Sequence, residues 1–283
     1  MRSLKESLLN DEEALVTKMD TKALIEYWLG NQNIRDYKLL KDNRIVINQP
    51  HILIELGDDE TELPEYINFS RSKHNFTIRG RGLKSFRGFP KKTHTITLVE
   101  CNSLEDLEGI PQDVKNYYMY MCEGLKSLKG LPLFIKGSIR LAYCPQLTSL
   151  KYCPKIMESQ LFIEGCDSLE DLQGANEKFS YKFHSVIIKY NLNLKSLKGL
   201  PVIGNRFICL GNPKLDKDGF KEGFLMSTYF ESLEVPSELK HVHLWSKAHP
   251  RYENRYDYDI NTERINQINS YKKLFSREYR LFQ

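Results

Sequence analysis

A short motif returns along this chain at a nearly constant interval. Four segments that begin with cysteine align without gaps: CNSLEDLEGIP from 101, CEGLKSLKGLP from 122, CPQLTSLKYCP from 144 and CDSLEDLQGAN from 166. Copies with the same leucines flank them, 21 to 25 residues apart. Such a repeat predicts a solenoid, because one unit is too small to bury its apolar face alone. The first leucines of the copies are Leu83, Leu104, Leu125, Leu147, Leu169, Leu194 and Leu215.

Each unit reads C/N-x-x-L-x-x-L-x-G-x-P and then, after a few polar residues, becomes rich in β-branched and aromatic residues. The second part predicts a strand, and Gly-x-Pro predicts a tight turn. A unit of this length has room for one strand and one return. We therefore predict a β-rich repeat solenoid with one parallel strand per coil and helical caps at both ends. The predicted strands are FTIR from 76, TITLV from 95, YYMYM from 117, SIRLAY from 138, QLFIE from 160, SVIIKY from 185 and FICL from 207.

Changes in composition divide the chain into five segments. The segment 216–245 is expected to form a capping coil, helical over 216–234, and the last segment is rich in Tyr and Arg. This tail is interpreted either as a cap helix docked on the solenoid or as an arm that binds a partner or a second copy. The predicted segments are a helical cap 1–33, degenerate coils with a hairpin 34–82, the solenoid 83–215, the capping coil 216–245 and the tail 246–283.

Composition narrows the class of protein. A hydrophobic fraction of 41% and a charged fraction of 28% are ordinary for a folded protein of 283 residues. The net charge of +4 is too small to indicate nucleic-acid binding unaided. We find neither a long apolar stretch that predicts a membrane span nor the uninterrupted apolar core of a secretory signal. We expect a cytoplasmic protein, in the host cytoplasm if it is viral, without a membrane partner.

The cysteines occupy one position of the repeat and predict a buried structural ladder. This position follows the strand, where the chain turns and leaves backbone groups without partners, and a buried thiol or amide suits it. Stacked side chains point the same way, whereas a disulfide needs thiols turned toward each other and zinc needs converging ligands. We favour structural thiols over a disulfide or a metal site. The predicted ladder consists of Cys101, Cys122, Cys144, Cys166, Asn191 and Asn212.

The repeat resembles the short leucine-rich repeats of the C/N-x-x-L-x-x-L kind found in bacterial and tailed-phage proteins. LKSLKGLP, present at 125 and at 194, matches the pattern L-x-S-L-x-G-x-P of many phage members. IRDYKLLKDNRIVI from 34 and ETELP from 60 resemble their first hairpin and first coil, although the glycine expected in the hairpin is missing. The resemblance covers roughly residues 20–215. It implies a leucine-rich-repeat-like fold and a phage origin, and it implies no activity.

The outward side of the strands is the candidate binding surface. Side chains alternate along a strand, so residues between the inward-facing ones are expected to be exposed. Aromatic residues beside arginine are typical of protein-binding hot spots. The alternative is that the caps or a dimer mate cover this surface. The predicted partner-binding residues are Tyr118, Tyr120, Arg140, Tyr143, Phe162, Glu164, Ile187 and Lys189.

The acidic residues and histidines that could suggest catalysis or metal binding have simpler interpretations. Glu105 and Glu170 alternate with lysines at the same repeat position, which predicts ion pairs between neighbouring coils rather than catalytic carboxylates. His241 and His243, with His249, suggest a metal site, but we favour plain surface histidines. We find no phosphate-binding loop or nucleophile motif. We therefore expect no catalytic residue, no cofactor and no metal.

These observations favour a non-enzymatic protein-interaction module. If it is phage-encoded, the partner is expected to be a host protein that it inhibits or redirects. One alternative is nucleic-acid binding through the basic, aromatic tail, although acidic residues in the tail weaken it. A second alternative is a structural component of the virion, and an undetected enzyme also remains open. The sequence leaves homo-oligomerisation open.

Overall fold

The computed structural model describes residues 20–175, 183–201, 203–223, 232–234, 251–252 and 269. In these ranges the chain forms short strands and the helices α1 at Thr21–Asn31 and α2 at Lys217–Glu222, and residue 269 is also helical. Neither helix is long and apolar enough to cross a bilayer. The strands are β1 Tyr37–Leu39, β2 Ile45–Ile47, β3 Leu53–Glu55, β4 Phe69–Ser72, β5 Asn75–Arg79, β6 Lys92–Val99, β7 Asp113–Tyr120, β8 Phe134–Ile135, β9 Ile139–Ala142, β10 Ile156–Met157, β11 Gln160–Glu164, β12 Phe183–Lys189, β13 Ile203–Leu210, β14 Ser232–Glu234 and β15 Arg251–Tyr252.

Thirteen of these strands form one sheet, in which every pairing is parallel except that of β1 with β2. From β5 to β13 the main strands of successive coils pair without a change of direction, and β8 and β10 form a small second sheet. The chain is thus a β-solenoid, and the predicted fold class and all seven predicted strands are confirmed. Parallel stacking follows from the repeat, because equivalent residues of adjacent coils must lie one strand spacing apart.

The core is a single column of apolar side chains inside the coils. The repeat leucines, exemplified by Leu125 and Leu147, are fully buried, as are inward strand residues such as Ile96 and Ile139. Tyr117 is also fully buried, and its hydroxyl donates a hydrogen bond to the Pro111 carbonyl at 2.7 Å. Each coil contributes too few of these side chains to form a core alone. The column therefore holds together only because the coils are stacked.

The Gly-x-Pro turns require a backbone conformation that favours glycine. Gly130 has a φ of +105°, and a Cβ atom there would lie 2.0 Å from the Leu107 carbonyl oxygen of the preceding coil. Tyr152 occupies the same position of the repeat in the next coil, with a φ of +70°. A large side chain in this left-handed region is unusual and carries strain. One coil thus departs from the rule that the others follow.

Both ends of the solenoid differ in part from expectation. Helix α1 packs the buried Ile25, Trp28 and Leu29 into the core, which fits the predicted N-terminal cap over its described residues. At the other end only Lys217–Glu222 is helical, and Ser232–Glu234, also predicted to be helical, is a strand parallel to β13. The sheet then continues into β15, within the predicted tail. The helix predicted near the C-terminus lies outside the described residues, apart from residue 269.

Candidate functional site

The predicted partner-binding residues come together on the outward face of the sheet. Parallel pairing aligns Tyr118 with Arg140, Arg140 with Phe162, and Phe162 with Ile187. A second row, two residues further along each strand, brings Glu164 beside Lys189. The sequence repeat therefore placed these side chains in the correct order. We call these eight residues the strand face: Tyr118, Tyr120, Arg140, Tyr143, Phe162, Glu164, Ile187 and Lys189.

Arg140 is the centre of the strand face. Its guanidinium carbon lies 4.0 Å from the centroid of the Phe162 ring and 5.9 Å from that of Tyr120. Its Nη1 also donates a hydrogen bond to the Tyr120 hydroxyl at 3.1 Å. Tyr118 meets Tyr120 edge to face, with ring centroids 6.3 Å apart. These contacts join three neighbouring coils through cation–π and hydrogen-bonding interactions.

The expected exposure of the strand face is wrong for most of its residues. Tyr118, Arg140 and Lys189 are half-buried. Neighbouring strands lie so close that large side chains rest on those of the next coil. Several strand-face residues thereby join a second apolar cluster on the outward side of the sheet, which also includes Val99, Ala142 and Ile208. Burial raises the pKa of Tyr118 and Tyr120, and the positive charge of Arg140, which lowers both pKa values, only partly offsets this. The buried members of the face are Tyr120, Tyr143, Phe162, Glu164 and Ile187.

Tyr143 does not belong to a strand but to the corner that follows one. Its φ is +58°, and its ring lies against Gly165 of the next coil, where an added Cβ would meet the ring at 2.5 Å. Tyr190 and Gly211 repeat this arrangement, at 2.3 Å. The signal was present in the sequence, since Tyr and Gly alternate before the ladder residue of successive coils. We read Tyr143 as part of a packed corner rather than of an open surface.

The ladder begins with four thiols. Cys101, Cys122, Cys144 and Cys166 are all buried and free of disulfides. Each sulfur faces the carbonyl of the residue two positions earlier, at 3.5 to 3.9 Å. Three of them also face a strand carbonyl of the preceding coil, at 3.7 to 3.9 Å. These are weak, long contacts that fix the corner without strong hydrogen bonds.

Two asparagines continue the ladder with shorter bonds. The Asn191 Oδ1 accepts the backbone N–H of Cys166 at 2.9 Å. The Asn212 Oδ1 accepts both the backbone N–H and the side-chain amide of Asn191, at 3.1 and 3.0 Å. The Asn212 amide donates to the carbonyls of Leu210 and Ile188. Each asparagine thus satisfies a buried backbone group of the coil before it.

Four of the buried thiols, those of Cys101, Cys144, Cys153 and Cys209, are poorly suited to act as nucleophiles. Burial raises the pKa of both Cys153 and Cys209 to about 12. Burial also raises the pKa of Cys101, and contacts with Cys122 and Cys166 together with burial raise that of Cys144. A reactive cysteine needs an accessible thiolate near neutral pH. These four side chains are therefore expected to stay protonated and inert.

Metal binding was the less favoured alternative both for the ladder thiols and for the histidines of the C-terminal segment. Within the described ranges, no group of three or more His, Cys, Asp and Glu side chains is arranged to hold a metal ion. His241, His243 and His249 lie outside the described residues, so the histidine prediction stays as it was. The ladder thiols follow one another along the stack instead of converging on a point.

The charged rows beside the leucines form ion pairs between coils, as their alternation predicts. Lys126 Nζ lies 2.7 Å from a Glu105 carboxylate oxygen, and Lys129 Nζ lies 2.7 Å from Glu108. Lys195 pairs in the same way with Glu170, at 3.0 Å. All of these side chains are largely exposed, so each pair adds little stability. These carboxylates thus pair with lysines of neighbouring coils.

A second surface was missed by the sequence analysis. Leu133, Phe134 and Tyr152 are 67%, 42% and 48% exposed, and they are the large hydrophobic residues on the surface of the described chain. The two coils that carry them are tied together, since the Leu133 carbonyl accepts the backbone N–H groups of Lys155 and Ile156 at 2.8 and 3.1 Å. We call these three residues the apolar ridge. Its signal was a departure from the repeat at two positions: Leu133 stands where neighbouring coils have lysine or glutamine, and Tyr152 stands where they have glycine.

Comparison with known proteins adds no relative. No family model, curated protein or solved structure matches the chain. What the fold does must therefore be argued from its own surfaces.

Proposed function

We propose that this protein is a non-enzymatic binding module whose apolar ridge, Leu133, Phe134 and Tyr152, docks a protein partner. The observation that carries the proposal is the exposure of three large hydrophobic side chains on two adjacent coils. Solenoids commonly bind partners along their stacked surfaces. The repeat pattern further supports the assignment to short leucine-rich-repeat proteins. If the implied phage origin is correct, the partner is a host protein.

The first support is the departure of the ridge from the repeat. Lys91, Gln112 and Lys155 follow the turn proline in three neighbouring coils, whereas Leu133 stands there in this one. A solvated repeat position has no folding reason to carry a leucine. Exposed apolar residues that cluster on a surface usually mark an interface.

The second support is the backbone of Tyr152. Every other turn of this kind in the described solenoid has glycine, and Tyr152 adopts the same left-handed conformation at a cost of about 1 kcal/mol. Strained residues that persist in a structure are concentrated at functional sites. The Lys151 ammonium lies 5.3 Å from the ring centroid and leaves nearly half of the side chain open. A tyrosine held in this way resembles the aromatic anchors of protein interfaces. The equivalent glycines are Gly88, Gly109, Gly130, Gly174 and Gly199.

The strand face is the weaker candidate for the same role. Five of its eight residues are buried, and Arg140 is already engaged with Tyr120 and Phe162. We propose that this face chiefly stabilises the sheet from outside. Nucleic-acid binding by the tail and a place in the virion remain separate hypotheses, and most of the tail lies outside the described residues.

The test replaces two residues of the apolar ridge by the residues that equivalent coils carry. The double variant Leu133→Gln/Tyr152→Gly places at each position a residue that equivalent coils already use, so we expect an unchanged or higher melting temperature. Affinity capture with the full chain, quantified by mass spectrometry, should recover the partner with the wild type and at least about tenfold less with the variant, since two anchors are lost.

A matched control alters the strand face instead. Tyr118→Thr takes the residue of the preceding coil, because Thr97 pairs with Tyr118 in the register. This control should retain the partner at the wild-type level. Equal capture by the ridge variant and the wild type would exclude the ridge, and loss only in Tyr118→Thr would return the function to the strand face.

A further inference from the structure

A groove of about 410 Å³ runs beside the first residues of β6 and β7, away from the strand face. Its walls come from four successive parts of the stack, at β4, β6, β7 and β8, so that two to four residues of each coil line the same channel. Ser72, Thr93 and Val114 are buried between the exposed side chains. The basic residues that line the groove are Arg71, Lys73, Lys92, His94, Lys115 and Lys136.

The groove carries a strong excess of positive charge. Asp113 is the one carboxylate in its lining, and it is paired with Lys92 at 3.1 Å. Across the described chain, Arg71, Lys73, Lys115 and Lys136 form no ion pair. The lining therefore combines these four unpaired cations with a single carboxylate. A concave surface lined by one sign of charge attracts an oppositely charged ligand.

Ser72 supplies an independent indication of a ligand. Its side chain is 3% exposed, it lines the groove, and its hydroxyl has no hydrogen-bond partner. The neighbouring Thr93, buried to a similar degree, donates its hydroxyl to the His74 carbonyl at 2.6 Å. A buried hydroxyl without a partner is costly and calls for an explanation. The hydroxyl oxygen itself has almost no exposed surface, so the side chain would have to turn toward the groove to donate to an anionic oxygen there.

We propose that the groove binds the phosphate backbone of a single-stranded nucleic acid. The cations recur from coil to coil along the stack, as a ligand with regularly repeated negative charges requires. Most of them are lysines, which bind phosphate as point charges, whereas arginine is the preferred partner of carboxylates. Phe134, 42% exposed at the edge of the groove, offers a ring on which a base stacks. Cationic grooves with exposed aromatic rings are typical of single-strand binding.

This ligand is independent of the protein partner proposed above, although Phe134 belongs to both surfaces. The experiment therefore leaves Phe134 and the other ridge residues unchanged. Fluorescence anisotropy of the full chain with a labelled single-stranded DNA of about 20 nucleotides measures the affinity. With four phosphate contacts, the Kd should rise about 50-fold between about 50 and 200 mM salt, because counterions are released on binding.

The key variant removes three unpaired cations, Lys73→Gln/Lys115→Gln/Lys136→Gln. It should reduce the salt effect on Kd to about threefold, in proportion to the one contact that is left. A charge-matched control, Lys84→Gln/Lys198→Gln/Lys217→Gln, alters exposed lysines outside the groove and should keep the 50-fold dependence. Absence of binding at about 50 mM salt, or equal salt dependence in both triple variants, would overturn the proposal.

Ser72→Ala separates binding from folding. Loss of the unpartnered hydroxyl should leave the melting temperature of the free protein unchanged or raise it, while the affinity for the oligonucleotide falls about two- to tenfold. An unchanged affinity would remove Ser72 from the site and overturn its role.

Two competing polyanions identify the chemistry of the ligand. Displacement of the DNA by polyglutamate as effectively as by inorganic polyphosphate would overturn the phosphate assignment, and binding of polyphosphate without binding of DNA would overturn the nucleic-acid assignment.

Discussion

The two halves of the ladder perform the same structural task with different chemistry. From Cys101 to Cys166 the position is held by thiols that lie 3.5 to 3.9 Å from backbone carbonyls. From Asn191 to Asn212 it is held by amides whose oxygens accept hydrogen bonds at 2.9 to 3.1 Å. The halves meet where the backbone N–H of Cys166 donates to Asn191. We call them the thiol half and the amide half.

The thiol half is stabilised mainly by packing, whereas the amide half is stabilised by hydrogen bonds. A thiol fills the corner and makes weak contacts, so its neighbours depend little on it. An amide donates and accepts, so removing it leaves buried groups of the adjacent coil without partners. The amide half should therefore be sensitive to truncation, and the thiol half to ionisation.

The largest expected effect is that of Asn191→Ala. The substitution deprives the Cys166 N–H of its acceptor and the Asn212 Oδ1 of one donor, both in a buried site. We expect the free energy of unfolding to fall by about 2–3 kcal/mol, measured by urea denaturation. Asn193→Ala is the matched control, because Asn193 lies on the same coil and is only half-buried. A loss no greater than that of the control would show that the amide half is held by shape alone.

Alkaline pH should act on the thiol half. Burial raises the pKa of Cys101 above its ordinary value of 9.0, so the folded chain retains a proton that the unfolded chain releases. The stabilisation is complete below pH 9 and is lost as pH rises toward the folded pKa, at about 1 kcal/mol per pH unit. Cys101→Ala should flatten the stability profile above pH 9 by this amount, whereas Asn193→Ala should not. Parallel profiles for wild type and Cys101→Ala would contradict this prediction.

The smallest expected effect on stability comes from exchanging a thiol and an amide where the two halves meet. In Cys166→Asn, the new Oδ1 would face the Cys144 N–H and the new amide would face the Asn191 Oδ1, by analogy with Asn191 itself. We expect a gain of about 1 kcal/mol in unfolding free energy, and a loss of similar size for the reverse substitution Asn191→Cys. Thermal unfolding of both variants measures the pair. Destabilisation by both would mean that each coil is fitted to its own residue.

The fold followed from the sequence because its cause is repetitive. A leucine every 21 to 25 residues leaves few ways to bury all of them, and stacking is the simplest. The same argument placed Cys101 and Asn191 at one corner and Lys126 opposite Glu105. It did not foresee Ser232–Glu234 as a strand, because its residues lack the motif.

The candidate sites were less predictable. Alternation along a strand correctly assigned Tyr120 and Phe162 to the outward face but not their burial, which depends on the size of side chains in adjacent coils. The ridge residue Tyr152 was visible only as a departure from glycine in the repeat. The groove joins Lys73, Lys92 and Lys115, and no motif connects these residues in the sequence.

The sequence by itself determined the coil, its strand, its turn and the ladder position, because each arises from contacts that repeat identically from unit to unit. The tertiary structure alone decided which outward side chains are open, where cations converge and that Ser72 has no partner. These properties depend on distances between different coils and on side chains that do not repeat. A periodic pattern in one chain carries no information about them.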